Sequence, residues 1–460
     1  VYVQEEDGYH ARMGWSFEPY SSDVPVAFVD SSNENHIIAA VNCARNLGLG
    51  ICPRGGGHSR IGSSMCRGVV IDVAQINDVQ VSLDKSSATV GAGITAGELA
   101  YELFGQSNRL FPIGHNPSVG VVGFTLAGGL SEIANQLGLG CDSLREVHMV
   151  KADGSIIIAN SSHNRDIFWA SQGGGGGRFG IVYRMRLAIY DASPFNSFVG
   201  FSANISNSSI IPDYLSWAFG RTELQFNIVS RSKIFFPSKR DSVLELRGVC
   251  LNESSQGMCI EKLNRSGILR FPLTNLRFRE GSSALDMLQY VATGSVSKSP
   301  EDFFVVGGEP HSEGRFQADR EIVSALSFQM NQTAAPSRYY FEDFLSYTRV
   351  LCRSCTIITQ NLGAGITRVN PRSTAIYGLR LATQWIALRA KERTQEQSQS
   401  VINQLRAYFG PNAIGAFLNY EDIGLENYPV AYWGNNSRRL ARIARKCDPR
   451  GLLLSRQPLA

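Results

Sequence analysis

The 460-residue chain lacks any run of about 18 apolar residues, the length a membrane span needs. Its opening residues show no positive, apolar and small-residue succession of a secretory signal. It lacks a long block of one charge: 44 Lys and Arg against 40 Asp and Glu leave a net charge of +4, which gives no footprint for nucleic acid. Charged residues are 18% and hydrophobic ones 43%, a composition that excludes disorder and supplies a large core. Cysteines number nine, too few for a small disulfide scaffold, and Cys352-x-x-Cys355 has no second pair at metal spacing. No βαβ pattern surrounds that pair, so neither a metal site nor a thioredoxin-like role is expected.

Sequons are plentiful. Asn160, Asn204, Asn207, Asn252, Asn264, Asn331 and Asn435 each open an Asn-x-Ser/Thr, five of them between 204 and 331. One reading is chance in Ser/Asn-rich text. The other is a secreted or lumenal glycoprotein whose signal has been removed, in which Cys250 and Cys259, flanking Asn252, can close a short disulfide loop. Nine is odd, so at least one thiol stays outside any intrachain pair.

Local patterns lay out α+β text. Helices are expected over Glu34 to Leu47, from the capping box Thr95-Ala-Gly-Glu98 to Phe104, and over Asp166 to Ser171. Strands are expected over Gly50 to Arg54, Val69 to Val73 and Phe179 to Ile189. A hairpin is expected where Ala152-Asp153-Gly154 separates two apolar segments. Past about 195 the glycines thin. Strand text then covers Lys233 to Phe236, Ser242 to Val249 and Thr374 to Ala382, and helix text covers Ala318 to Leu326, Ala390 to Phe409 and Asn436 to Cys447.

The feature in excess is glycine, 45 residues with dense clusters at 55–57, 120–129 and 173–180. Without a Cβ, a backbone passes close to a ligand and presents its N–H groups. Gly175-x-Gly177-x-x-Gly180 matches the dinucleotide fingerprint, but a Rossmann loop follows a strand and opens a helix, and this one follows a helix and opens a strand. A fold that threads several glycine loops around a diphosphate suits the pattern better.

Five ordered motifs carry a resemblance. Pro53-Arg-Gly-Gly-Gly-His58-Ser59 resembles the R-x-G-G-H-S loop of the FAD-linked oxidases related to vanillyl-alcohol oxidase and p-cresol methylhydroxylase, in their berberine-bridge-enzyme-like branch. Gly114 to Gly129 resembles that branch's G-x-C-P-x-V-G-x-x-G-x-x-x-x-G-G stretch. Leu137 to Asp142, Phe168 to Val182, and Tyr432-Trp-Gly-Asn435 with Cys447-Asp-Pro449 match further signatures in order. The resemblance implies a two-domain α+β fold. Residues 1–194 and 410–460 would form an FAD domain of two α/β subdomains. Residues 195–409 would form a substrate domain, an antiparallel sheet backed by helices.

Carried over position by position, the resemblance implies FAD contacts from Pro53, Arg54, Gly55, Gly56, Gly57, His58, Ser59 and Gly62. The second motif implies contacts from Gly114, Asn116, Ser118, Val119, Gly120, Gly123, Phe124, Gly128 and Gly129. The later motifs add Gly140 and Asp142, then Gly177, Phe179, Gly180 and Ile181, then Tyr432, Trp433 and Asn435. His58 stands where relatives bond covalently to the flavin. Asn116 stands where many relatives place a second, cysteinyl tether, and an amide forms no thioether, so a single tether through His58 is implied. Val119 stands at the position lining the oxygen approach, where a small residue goes with oxidase behaviour.

Tyr420, in Phe417-Leu-Asn-Tyr420-Glu-Asp422, resembles the family tyrosine facing the flavin and is the implied base. The segment Tyr377-Gly-Leu-Arg380-Leu-Ala-Thr-Gln384-Trp385 resembles the strand above the flavin. It places Tyr377, Arg380 and Gln384 at the site, with Arg380 stabilising a tyrosinate or binding an acidic substrate, or else lying on the surface. Three functions follow as alternatives. The first is an oxidase of a carbohydrate or other alcohol that gives hydrogen peroxide. The second is a biosynthetic enzyme closing a ring on a planar metabolite, to which Tyr339, Tyr340, Phe341 and Phe344 would be suited. The third is a flavin-bound protein without turnover. The expected partners are a small-molecule substrate and O2, with no nucleic acid and no membrane, for a monomer or weak dimer.

Overall fold

The computed structural model describes residues 1–13, 23–219, 228–238, 240–296, 298–304, 322–328, 336–352, 354–382, 384–409 and 413–459. The elements with local chemical signals form where those signals stand. Asn33 caps the helix Glu34–Asn46 by accepting from the amides of Asn35 and His36, and Ile37, Ala40, Val41 and Ala44 form its buried face. The Thr95–Glu98 capping box opens the helix Ala96–Ser107, which ends on Asn108 in the left-handed region. The strands Leu144–Val150 and Ile156–Asn160 pair antiparallel across the Ala152–Gly154 turn.

Among the described residues, three larger sheets and a two-stranded ribbon organise the fold. The first has the order Tyr2–Val3, Ala27–Asp30, Val69–Asp72, Ile51–Arg54, and its last three strands are parallel. The second is antiparallel, in the order Val79–Val81, Ser87–Gly91, Ile181–Ala188, Leu144–Val150, Ile156–Asn160. The third, the roof, has eight strands. In order they are Thr274–Gly281, Phe198–Ile205, Val243–Leu251, Ile228–Phe235, Cys355–Asn361, Gln384–Ala390, Ile322–Phe328 and Gly415–Ala416. On its outer face lies the helix Ile211–Phe219, whose Tyr214 hydroxyl meets Ser232 Oγ at 2.7 Å. The helices Arg338–Leu351 and Gln395–Phe409 cover the same side. The inner face looks down on the glycine loops. The result is the two-domain α+β arrangement that the motifs imply.

Three local expectations are corrected. Gly378–Leu381, inside the expected strand over Thr374 to Ala382, is a short helix, because Arg380 turns inward onto Asp142; the strand begins only at Gln384. Within the expected helix over Ala318 to Leu326, residues 318–321 lie outside the described ones. Ile322–Phe328 is a strand: its β-branched start suits a sheet, its whole length pairs with Gln384–Ala390, and Leu326 and Ser327 also pair with Gly415–Ala416. Ala390 still belongs to a strand, and the helix after it runs Gln395–Phe409. The Asn331 sequon also lies outside the described residues.

Cys250 pairs with Cys259 as expected. Cys52 pairs with Cys66 and Cys352 with Cys355, leaving Cys43, Cys141 and Cys447 as free thiols.

Candidate active site

The three glycine clusters converge because two of them touch backbone to backbone. A Cβ at Gly56 would stand 2.3 Å from the Gly120 nitrogen, so only glycine lets these loops meet. Between them and the roof lies a cavity of about 280 Å³. Its wall includes Pro53, Gly55, Gly56, Gly57, His58 and Ser59 from the first loop. The second contributes Gly114, Asn116, Val119, Gly120, Gly123 and Phe124, and the third Gly175, Gly176, Gly177 and Arg178. Tyr420 closes the wall, its ring centroid 5.2 Å from that of Trp385 on the roof strand Gln384–Ala390.

The remaining expected contacts stand behind this wall. Arg54 is fully buried, donates to Asp72 at 2.6 Å and to the Arg12 carbonyl, and so fixes the loop from beneath. Gly62 supplies a left-handed turn, and its carbonyl accepts from Met65 N. Gly129 N donates to Asn419 Oδ1, and Gly128 and Gly129 accept the amides of Cys141 and Gly140. Phe179 is buried, and Gly180 leads into the strand that Ile181 begins. Tyr432 accepts the Asp422 amide, and the Trp433 indole donates to the Gly173 carbonyl, fixing the third loop. Asn435 is exposed and reaches the Tyr377 hydroxyl at 3.4 Å.

The wall does not include Tyr377, Arg380 or Gln384. Arg380 is buried with its guanidinium on Asp142, Thr374 and the Ile366 carbonyl. Gln384 donates to the Ala218 carbonyl and to Asn361 on the outer side. The aromatic group Tyr340, Phe341 and Phe344 is likewise outside, packed around Tyr408 and Phe219 on the helix layer, with Tyr339 exposed.

Charged groups that sequence reasoning passed over do reach the wall: Arg60, His115, Arg178, Arg389 and Glu421. Glu421 accepts from Ser59 at 2.8 Å and from Ser63, and its burial pushes the carboxyl up against the opposing pull of Arg178. His115 lies 3.9 Å from Glu132, which also takes Arg231 at 3.2 Å. Loss of solvation, then Arg231, Arg389 and Arg60, hold the His115 imidazole well below its ordinary range. The alternation of Trp385, Ala387 and Arg389 along one strand was the available signal for Arg389. Nothing in the text marks Arg60 or His115.

His58 sits in a short hydrogen-bond chain. Ser118 Oγ donates to Asn116 Oδ1 at 2.9 Å and is 2.8 Å from His58 Nε2. Since the serine proton is committed to Asn116, the chain assigns the imidazole proton to Nε2 and the lone pair to Nδ1. Loss of solvation and then Arg60 lower the His58 pKa to about 4, so the ring is neutral near pH 7.

The residues present fit an FAD. A Cβ at Gly123 would meet nothing within 4 Å and one at Gly176 only Leu126 at 3.7 Å, so these glycines leave room toward the cavity. Arg178 is buried beside them with an Nε that has no hydrogen-bond partner, the donor type suited to diphosphate oxygens.

Comparisons with known proteins agree. Residues 25–160 match the family model described as FAD binding domain, and residues 416–459 that described as berberine and berberine like. The uncharacterized FAD-linked oxidoreductase YvdP of Bacillus subtilis is 26% identical, over 98% of this chain and 95% of its own. The solved BBE-like 1 of Physcomitrella patens superposes with a TM-score of 0.87 at 21% identity, covering 100% of this chain and 96% of that one. Xylooligosaccharide oxidase from Myceliophthora thermophila, solved with xylobiose, gives 0.80 at 21% identity, covering 100% and 96%.

Proposed function

The chain belongs to the berberine-bridge-enzyme-like family of FAD-linked oxidoreductases, and from that premise we propose that it is an oxidase of a small-molecule alcohol, a carbohydrate among the candidates. FAD, when bound, supplies the hydride acceptor at N5 and passes the electrons to O2 as hydrogen peroxide. The observation that carries the reading is that Tyr420 and a neutral His58 face one cavity.

Each wall residue has a role in this reading. His58 offers Nδ1 for a single covalent tether, and Asn116 orients it through Ser118 instead of adding a second bond. The Tyr420 side chain, in its phenolate form, would take the substrate hydroxyl proton and become the neutral phenol. Val119, in the wall, leaves space for O2. The glycine loops and Arg178 hold the diphosphate. Residues 1–194 with 410–460 serve the cofactor and 195–409 the substrate, a reading supported by the roof sheet, all of whose strands except Gly415–Ala416 lie within 195–409. A second reading, ring closure on a planar substrate, is favoured by the aromatic wall of Phe417 and Tyr420 backed by Trp385.

A panel of mono- and disaccharides with peroxide detection tests the sugar reading. No signal from any sugar, with rapid reoxidation of chemically reduced enzyme, excludes sugars and keeps the oxidase. Tyr420→Phe is expected to slow flavin reduction by at least about tenfold; an unchanged rate removes the base.

Three disulfides and the exposed sequons Asn207, Asn252, Asn264 and Asn435 support a secreted glycoprotein. The intact mass of the denatured chain from its native source, taken before and after endoglycosidase, reads tether and glycan together. One retained FAD and a mass loss on digestion are expected. Release of free FAD overturns the tether, and an unchanged mass overturns the glycan.

A further inference from the structure

The backbone that leads into His58 has little stiffness of its own: three glycines precede it, and Gly57 lies in the left-handed region at φ 65°. Side chains from two distant segments fasten it. From the second glycine loop, Ser118 Oγ stands 2.8 Å from His58 Nε2. From the C-terminal segment, Glu421 takes the next residue, Ser59, whose hydroxyl donates to Oε2 at 2.8 Å. Ser63 donates to the same carboxylate, 2.8 Å from Oε1 and 3.0 Å from Oε2, and its amide donates to Ser59 Oγ at 2.9 Å. The Ser59 oxygen therefore accepts one proton and gives its own to Glu421. The three residues close a ring of hydrogen bonds that fixes the position after His58. A carboxylate, which only accepts, suits two converging hydroxyl donors.

Glu421 projects from anchored backbone. On one side, Asn419 Oδ1 accepts from Gly129 N, and Asn419 Nδ2 donates to the Phe124 carbonyl. On the other, the Asp422 amide donates to the Tyr432 hydroxyl at 2.9 Å, the Asp422 carbonyl accepts from Gln457 Nε2 at 2.9 Å, and the Asp422 carboxylate takes Arg406. The glutamate is thus a fixed post, and the glycine loop is the part that it holds. Its neighbour Tyr420 lines the same cavity, so one short segment carries both the proposed base and the hold on the His58 loop.

We propose that Glu421 is a positioning residue for the covalent tether: by holding Ser59 and Ser63 it aims His58 Nδ1 at the flavin 8α-methyl carbon. This deepens the single-tether reading and rests on it. Tether formation joins Nδ1 to that carbon. One hydrogen leaves the methyl group and one leaves the imidazole Nε2, and the two protons and two electrons pass to O2, giving hydrogen peroxide. Glu421 takes no part in these transfers. It acts on the approach of Nδ1, where a misplacement of about 1 Å can cost about a hundredfold in rate.

The test uses the full chain produced under flavin limitation and then mixed with excess FAD in air. Two quantities are followed with time: total flavin bound to the native protein, and flavin that stays with the polypeptide after acid denaturation. Glu421→Ala is expected to bind FAD to a similar level as the wild type and to tether it at least about tenfold more slowly. Glu421→Gln, which keeps an acceptor for Ser59, is expected to recover part of that rate. Ser63→Ala, which leaves Ser59 and Glu421 in place, is expected to slow tethering at full flavin content, and it decides the matter should Glu421→Ala not fold. Tethering at the wild-type rate in the deciding variant overturns the proposal. So does a loss of bound flavin with fast tethering of what remains, because Glu421 would then be a contact of the cofactor itself. A wild type that binds FAD and never tethers it overturns the tether reading, and this role with it. A tethered wild type with an equally fast variant overturns the role alone.

Discussion

Loss of the Arg380 guanidinium leaves the Asp142 carboxylate, 14% exposed, without its charged partner. Breaking a buried pair costs more than the pair contributes, because the remaining charge keeps its desolvation penalty. Arg380→Met is therefore expected to lower unfolding free energy by about 3 kcal/mol, and adding Asp142→Asn to regain much of it. Denaturant unfolding of the single and double variants measures this; additive losses would show that the two side chains do not act as a pair. The same arginine shows where side-chain reading stops. Arg380 and Arg389 are the same residue type nine positions apart, yet one is enclosed in a helix turn and the other lines the cavity. What separates them is the phase of the strand that begins at Gln384, which depends on pairing with Cys355–Asn361 and Ile322–Phe328. Tyr420 and His58 were legible because each sits in a loop with its own signature. Arg60 and His115 were not, because their neighbours come from distant parts of the chain.

Elements with chemistry of their own were legible: the Thr95–Glu98 box, the hairpin around Asp153 and the glycine loops. The stretch Ile322–Phe328 was misread, because an apolar segment of that length suits a strand or a helix until its partners are known. Among the loops the closest approach, Gly56 to Gly120, gives a direct test. A methyl on Gly56 meets backbone at 2.3 Å and 2.6 Å, and backbone held in two loops does not yield as a flexible side chain does. Gly56→Ala is expected to cost about 1–3 kcal/mol, the usual range for overpacking, and to spread the loops. Its signature is a lower ratio of flavin to protein absorbance in the purified protein, along with a lower thermal midpoint. Gly105→Ala serves as the control, since a Cβ there meets nothing within 4 Å. Full flavin content in Gly56→Ala would mean that the contact does not shape the cradle.

At the scale of the whole molecule the cavity is closed by chain far apart in sequence. Leu454 N donates to the Ile51 carbonyl, Arg178 donates to the Gln457 carbonyl, and Glu421 takes Ser59 and Ser63. The roof's Arg231 meets Glu132 beside His115. Folding therefore changes the ionisation of groups that are ordinary in the unfolded chain, and stability acquires a pH dependence. His115 has a folded pKa well below 6.5, so between that value and 6.5 the unfolded chain binds the extra proton. Stability then rises with pH through this window, is fully present above 6.5, and is lost as pH falls. Glu132 acts in the opposite sense: its carboxyl is raised from 4.5 by burial, so the folded state holds the proton longer and loses stability as pH rises through the raised value. His115→Asn separates the two. The wild-type-minus-variant stability is expected to be flat above pH 7 and to fall below about 6.5. With 34% of the His115 side chain accessible, screening keeps the slope under the ~1.4 kcal/mol per pH unit of a fully shifted group. Thermal or denaturant unfolding of both proteins from pH 5 to 8 reads it. Parallel curves across that range would show that the roof does not close over a neutral His115.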